Sequence, residues 1–441
     1  MTKDELCKKK IGLISLGCDK NRVDSERVLF ELKNYGFEIT SNPNEANILI
    51  VNTCAFIEPA RKESIETILE MAEYKNDKCE KLIVIGCLPQ KFMAEVKDAL
   101  PEVDCFLGTK SELSIINAIA DLYGFKCLNK VTEEGFNRLL TTPKHYAFLK
   151  IAEGCSNNCA YCNIPLIRGQ YVSEPMEKLI AQAKYLVENG VKELIVVAQD
   201  VTKYGIDLYG RFALVELLQK ISQIDGLKWI RLHYCYPELV SDELINEIAN
   251  NPKICKYIEI PFQHADDSIL KQMKRASNNK LMANLVTKLR SKIPNIAIRT
   301  SFILGFPTEN EDNYNNLKQF IIDYKLEHIG FFTYSREKDT LAYDMKPQVP
   351  KKVAKYRANE LAKIQEEIVE NKNLNFIGKQ LEVVIEDVLD KNTYIGRSQY
   401  NSPNVDTIVY INSTKQLQIG DFCNIIVTNV VDKFDLQGDI I

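Results

Sequence analysis

Residues 154–162 of this 441-residue chain read Gly-Cys-Ser-Asn-Asn-Cys-Ala-Tyr-Cys, so that Cys155, Cys159 and Cys162 stand in a C-x3-C-x2-C spacing. Even with thirteen cysteines in the chain, chance would produce this spacing only about 0.01 times. Thiolate is the ligand that iron–sulfur clusters use. Three close thiolates can each take one iron of a cubane and leave the fourth iron without a protein ligand. A metal with a vacant position can bind substrate, as catalytic zinc does. The competing reading is a zinc knuckle, which needs a fourth Cys or His. None stands between Cys162 and His233, and His145 falls at the far end of the strand leading into the loop.

A second trio lies near the amino terminus, in Ser15-Leu16-Gly17-Cys18, Val51-Asn52-Thr53-Cys54 and Val84-Ile85-Gly86-Cys87. Each cysteine comes just after an apolar run that reads as a buried strand. In an open parallel sheet the carboxyl ends share one edge, where ligands bind. Three thiolates meeting there again suit a cluster with one open iron. The plain alternative is three small residues buried in tight turns. Cys7, Cys79, Cys105, Cys127, Cys235, Cys255 and Cys423 read as structural, Cys235 being closest to a functional position. His233 and His264 sit near strand ends and read as hydrogen-bonded core residues.

The elements needed to hold these residues follow from the hydropathy pattern. Ile11–Leu16, Ile48–Val51 and Leu82–Ile85 read as parallel strands. Helices are expected over Val23–Tyr35, Glu58–Glu73, a segment after Pro89, and Ser111–Leu122. The amino-terminal part is therefore an open parallel α/β sheet with helices on both faces. Six further strands are expected at Ala147–Ile151, Leu194–Ala198, Trp229–His233, Tyr257–Ile260, Ala297–Leu304 and Ile329–Tyr334. Repeated βα units of this kind form a partial (β/α)6 barrel, with the Cys155 loop at its catalytic, carboxyl-end face. Met345–Pro350 reads as a linker, and a polar helix follows. Leu381–Ile385, Thr407–Ile411 and Phe422–Val427 belong to a small antiparallel β-barrel. The expected domains are 8–125, 141–372 and 375–441.

Hydrophobic residues make up 45% of the chain and charged residues 26%, a globular balance. There is no apolar run long enough to span a membrane and no apolar signal region at the start, so a cytoplasmic protein is expected. In that setting many cysteines argue for metal or redox chemistry over disulfides. The net charge of −4 gives no general attraction to nucleic acid. From Asn375 to Ile441 nine acidic residues face five basic ones, a tail better matched to a basic protein than to phosphates.

The C-x3-C-x2-C spacing, with Tyr161 before its last cysteine, resembles the radical S-adenosylmethionine (SAM) family. The resemblance implies that the open iron chelates SAM and that an electron from the cluster breaks its sulfonium bond. Ser301-Phe302-Ile303-Leu304-Gly305-Phe306-Pro307 resembles the glycine motif of a later strand in that family, departing from it at Thr308 and Asn310. Ala198-Gln199-Asp200 replaces the common Gly-Gly-Glu, so no SAM-contact residue is assigned. Two trios and a TRAM-like tail, covering nearly the whole chain, resemble the methylthiotransferases. That likeness implies two 4Fe–4S clusters: Cys155, Cys159 and Cys162 hold the one that cleaves SAM, and Cys18, Cys54 and Cys87 hold the one that serves as a sulfur site. SAM acts both as methyl donor and as radical source. Ser15-Leu16-Gly17-Cys18-Asp19-Lys20-Asn21, Ala198-Gln199-Asp200, Tyr234-Cys235-Tyr236-Pro237 and Pro261-Phe262-Gln263-His264-Ala265 look like the branch that modifies the β-carbon of an aspartate in small-subunit ribosomal protein twelve. Asp19 stands where that branch commonly has Pro. The alternative is the same chemistry on a transfer-RNA adenosine, against which the acidic tail argues. A rival of another class is a non-catalytic metal scaffold. The sulfur donor and electron donor are not identified by the sequence.

Overall fold

A computed structural model describes residues 2–111, 114–125 and 137–441; Cys127 lies outside the described residues. The chain forms two compact units. One comprises Met1–Thr141, Glu153–Asn157 and Cys162–Val172, and the other Thr142–Ala152, Asn158–Tyr161 and Ser173–Ile441.

The first unit is built on strands β1 (Lys10–Ser15), β2 (Glu38–Thr40), β3 (Ile48–Thr53), β4 (Lys81–Gly86) and β5 (Cys105–Phe106), in the order β2-β1-β3-β4-β5. All neighbouring pairs are parallel. Strand β3 is buried along its whole length because helices cover both faces. Ile48 and Ile50 face a core with Val28, Leu32, Ile115 and Ile119. Leu49 and Val51 face the other, with Ile68, Met71 and Val96. This is the period-two alternation of a strand buried on both sides. The helices run over Asp19–Tyr35, Glu58–Glu73, Cys87–Ala99 and Ile115–Leu122. Strand order reverses between β1 and β3, which makes that edge a topological switch point, where ligands of such sheets bind.

The second unit begins its sheet with β6 (Tyr146–Lys150); in the chain, the short strands β7 (Ala152–Glu153) and β8 (Val172–Ser173) then flank the Cys155 loop. Then come β9 (Glu193–Val197), β10 (Trp229–Leu232), β11 (Ile254–Glu259), β12 (Ala297–Leu304) and β13 (His328–Thr333). Strands β6 and β9–β13 form one six-stranded parallel sheet in chain order, open between β6 and β13. Gly305, just after β12, has φ +76°, and an added Cβ would lie 2.4 Å from Cβ of Ala354. That glycine therefore lets the helix Lys351–Leu374 pack against the strand end.

The tail closes into a five-stranded barrel of β14 (Gln380–Val388), β15 (Thr393–Ser398), β16 (Val409–Asn412), β17 (Phe422–Val431) and β18 (Asp435–Ile440). It is not wholly antiparallel, because β16 and β18 pair in parallel. An odd number of strands cannot alternate direction around a closed ring, so one parallel pair is forced. The tail is held to the sheet by buried charge. Glu193 accepts hydrogen bonds from Arg231 (2.7 Å) and Arg397 (2.5 Å), and Arg299 and Tyr257 both bind Asp406. Arg397, which also donates to Glu386 at 2.9 Å, and Asp406 are thus committed to packing and do not belong to the tail's free surface. No helix among the described residues is long and apolar enough to cross a membrane.

Candidate metal centres

In the first unit, Cys54 and Cys87 follow β3 and β4 directly and Cys18 comes three residues past the end of β1, so that Cys18 and Cys54 flank the switch point. Their placement rests on glycine and on side-chain-to-backbone hydrogen bonds. Gly17 has φ +87°, and a Cβ there would come within 2.7 Å of Cβ of Cys54 and 3.1 Å of its Sγ. Gly86 has φ +97°, with room for no atom beside Oδ1 of Asn52. The hydroxyl of Ser64 accepts from the Cys54 amide (3.0 Å) and donates to the Cys54 carbonyl (2.8 Å), fixing that residue on both sides. Asn21 donates to the carbonyls of Leu16 and Thr53, and Asn52 donates to the Asn21 carbonyl and to Ser25. These bonds tie the Cys18 and Cys54 turns together.

The three thiols lie within electrostatic reach of one another. Burial pushes the Cys87 thiol up to about 12; Arg168 opposes the shift and charge on Cys18 and Cys54 adds to it. Burial likewise raises the Cys54 thiol. Such thiols give up their protons when a metal replaces them. Among the described residues no three His, Cys, Asp or Glu side chains gather tightly enough to share a single ion. A cubane does not require that, since each thiolate takes its own iron. An all-sulfur donor set at a sheet edge, with glycine keeping the space beside Cys54 clear, fits a cluster.

In the C-x3-C-x2-C motif, the turn entering Cys155 depends on a third glycine. Gly154 has φ +78°, and a Cβ would lie 2.1 Å from the Gln170 carbonyl oxygen. Cys155 donates its amide to Gly169 O at 3.0 Å. Its Sγ accepts from the Asn157 amide, and Cys162 Sγ accepts from the Ile164 amide, both at 3.4 Å. N–H groups aimed at sulfur favour the thiolate. In the second unit, Ala160, next to Cys159, is pinned by backbone bonds to Met273 O (2.9 Å) and from the Ala342 amide (2.8 Å). Arg275 approaches Cys159 Sγ through Nη1 at 3.9 Å, donates from Nη2 to Pro261 O at 3.0 Å, and lies over the Tyr236 ring, 4.2 Å from its centroid. Its buried Nε has no hydrogen-bond partner among the described residues. A buried cation aimed at a cysteine sulfur and left with an unmet donor fits an anionic cluster there.

The remaining candidates are accounted for by packing. His145 lies at the opposite end of β6, with Nε2 3.1 Å from Glu386 Oε1. His233 Nε2 is 2.9 Å from the Ser402 hydroxyl, and His264 Nδ1 accepts from the Asp266 amide at 3.0 Å. Cys235 is fully buried, and burial raises its thiol well above the usual range. The Asp200 carboxylate caps its own turn through the Thr202 amide. Sequence reading missed Arg168 and Arg275. The available signal was an arginine soon after the cysteine motif, in Ile164-Pro165-Leu166-Ile167-Arg168-Gly169.

Comparison with known proteins agrees with this architecture. Residues 10–108 match the profile of the uncharacterized protein family UPF0004, residues 149–321 the Radical SAM superfamily, and residues 377–441 the TRAM domain. Among solved structures, the radical S-adenosylmethionine methyltransferase TsrM from Kitasatospora setae superposes with a TM-score of 0.56 at 13% identity, covering 76% of this chain and 77% of that one. The cobalamin-dependent radical enzyme OxsB gives 0.52 at 12% identity over 83% of this chain and 56% of that one. These likenesses establish the fold. The class is a radical SAM methylthiotransferase, an enzyme using SAM and 4Fe–4S clusters. The relative from Thermoanaerobacter sp. (strain X514), a ribosomal protein uS12 methylthiotransferase RimO, is 48% identical over 98% of this chain and 100% of its own length. The protein of that name from Aquifex aeolicus is 44% identical over 97% and 96%. The chain belongs to the ribosomal protein uS12 methylthiotransferase RimO family.

Proposed function

We propose that this protein methylthiolates the β-carbon of an aspartate in ribosomal protein uS12, in the cytoplasm, with SAM as both methyl donor and radical source. In this reading Cys155, Cys159 and Cys162 hold the SAM-cleaving cluster, and Cys18, Cys54 and Cys87 hold the sulfur-site cluster. The division into 8–125, 141–372 and 375–441 assigns these roles to the first two parts. The observation that carries the assignment of the second trio is the arrival of three thiols at the carboxyl ends of β1, β3 and β4, around the switch point.

The clusters and SAM, when bound, supply a one-electron route to a C–H bond that has no acidic proton, and a sulfur atom to place there. The chain supplies position. Gly86 and Gly154 let cysteine-bearing turns approach neighbouring backbone, and Gly17 lets its turn approach the Cys54 side chain. Asn21, Asn52 and Ser64 lock two of the turns. Cys87, Cys155 and Cys159 are buried, which keeps water from reactive species. Holding sulfur and target together makes transfer a matter of proximity. The acidic balance of the tail suits a basic ribosomal protein.

Two measurements test this. Anaerobic reconstitution should load two clusters, each lost on alanine replacement of its own trio. Mass spectrometry should find uS12 without its methylthio group in cells lacking the gene. Loss of the group from transfer RNA alone would overturn the substrate, and iron loading indifferent to Cys18, Cys54 and Cys87 would overturn the second centre.

A further inference from the structure

The helix Ile164–Arg168 begins two residues beyond Cys162 and ends in a side chain whose partners lie between 15 and 147 residues away in sequence. Arg168 is buried, with its side chain only 2% exposed. Its Nη1 donates to Asp24 Oδ2 at 2.8 Å and to both Glu153 carboxylate oxygens at 3.0 and 3.1 Å. Its Nη2 donates to Asn21 Oδ1 at 3.1 Å and to Cys87 Sγ at 3.6 Å. Asn21 and Asp24 sit on the first turns of the helix that Cys18 caps, and Glu153 precedes Gly154 and Cys155. One guanidinium therefore touches a thiol of the amino-terminal trio directly, the turn of a second thiol through Asn21, and the base of the Cys155 loop through Glu153.

Two carboxylates already satisfy the charge of Arg168, so a structural ion pair would need no sulfur contact. The planar fork nevertheless directs one nitrogen to Cys87. Lysine, a single point charge on a flexible stem, could not span these partners together. Hydrogen bonds to cluster sulfur are among the determinants of cluster potential, and such outer partners fix ligand orientation.

We propose that Arg168 is a positioning residue of the amino-terminal cluster: it orients the Cys87 thiolate and, by donating a hydrogen bond to its sulfur, stabilises the reduced state. On reduction the cluster gains one electron from an external reductant such as dithionite, and no bond or proton need move. The added negative charge is what an N–H donor at sulfur favours. This inference rests on Cys87 being a cluster ligand.

The test uses the full chain with Cys155, Cys159 and Cys162 replaced by alanine, reconstituted anaerobically with iron and sulfide, so that only the amino-terminal centre is loaded. Midpoint potential is read by EPR-monitored dithionite titration, with iron and sulfide content alongside. Arg168→Gln is expected to keep its iron and to shift the midpoint to a more negative value. Arg168→Lys is expected to shift it the same way by less. A loaded Arg168→Gln centre with the parent midpoint overturns the proposal. If that variant does not fold, Arg168→Lys decides in its place, and an unshifted midpoint there overturns it equally. Cys87→Ala separates the two readings. Undiminished iron in that variant means the ligand assignment has failed, whereas lost iron together with an unshifted arginine variant means only the role of Arg168 has failed.

Discussion

Nη1 of Arg275 lies 3.9 Å from Sγ of Cys159, and the same guanidinium covers the ring of Tyr236, whose hydroxyl is itself 3.9 Å from that sulfur. A cation and a phenol thus converge on the middle thiol of the motif. Replacing the groups that orient a metal ligand commonly costs about 10–100-fold in affinity or activity. Arg275→Gln should therefore slow reductive SAM cleavage by about that factor while retaining iron, measured as deoxyadenosine release beside an iron assay. Cleavage at the parent rate would show that the contact is only packing.

Cys54→Ala tests the division of labour. The variant is expected to cleave SAM at close to the parent rate and to leave uS12 without a methylthio group, read by mass spectrometry of a uS12 peptide. Full methylthiolation would remove the amino-terminal trio from the chemistry.

Gly17→Ala forces a β-carbon into the Cys54 side chain at a residue with φ +87°. Strain of this kind costs about 1–3 kcal/mol. The expected result is partial or complete loss of amino-terminal iron with the Cys155 centre retained, seen by iron content in each trio's knockout background. Normal loading of both centres would show that the turn relaxes freely.

Glu193 ties the tail to the parallel sheet. Burial alone would raise its carboxyl, but Arg397 and Arg231 override it and hold the group down at about 2, against an ordinary 4.5. A depressed carboxylate contributes fully above its unfolded-state value, and the contribution disappears as pH falls through the folded one. Stability should therefore decline between about pH 4.5 and 2. Glu193→Gln should flatten that decline and cost about 3–5 kcal/mol at neutral pH, because two buried guanidiniums lose their counter-charge. Thermal melts of parent and variant across this range check both statements.

The parallel strands were legible because burial on both faces writes them as continuous apolar runs. Ala297–Leu304 and the helix Glu58–Glu73 coincide with the expected limits. The short edge strands Glu38–Thr40 and Cys105–Phe106 carry too few residues to show a period. In the tail, Thr393–Ser398 escaped notice because two of its buried residues, Arg397 and Ser398, are polar. Arg397 is satisfied by Glu193, some two hundred residues earlier, and no local pattern announces that pairing. The small antiparallel barrel was legible from three of its five strands, but its one parallel pair, β16 with β18, was not, because Thr393–Ser398 and Asp435–Ile440 were not legible as strands. The strand-end positions of Cys18, Cys54 and Cys87 could be read because each follows such a run. Arg168 left only its nearness to the cysteine motif as a signal and Arg275 left none, since the significance of both lies in partners elsewhere along the chain.

The left-handed turns at Gly17, Gly86 and Gly154, and the two-way grip of Ser64 on Cys54, are constraints that non-cysteine residues place on cysteines. A bulkier neighbour at any of these four positions therefore disturbs a thiol while leaving every sulfur atom in the chain, so damage to a centre can originate in a residue that never touches iron.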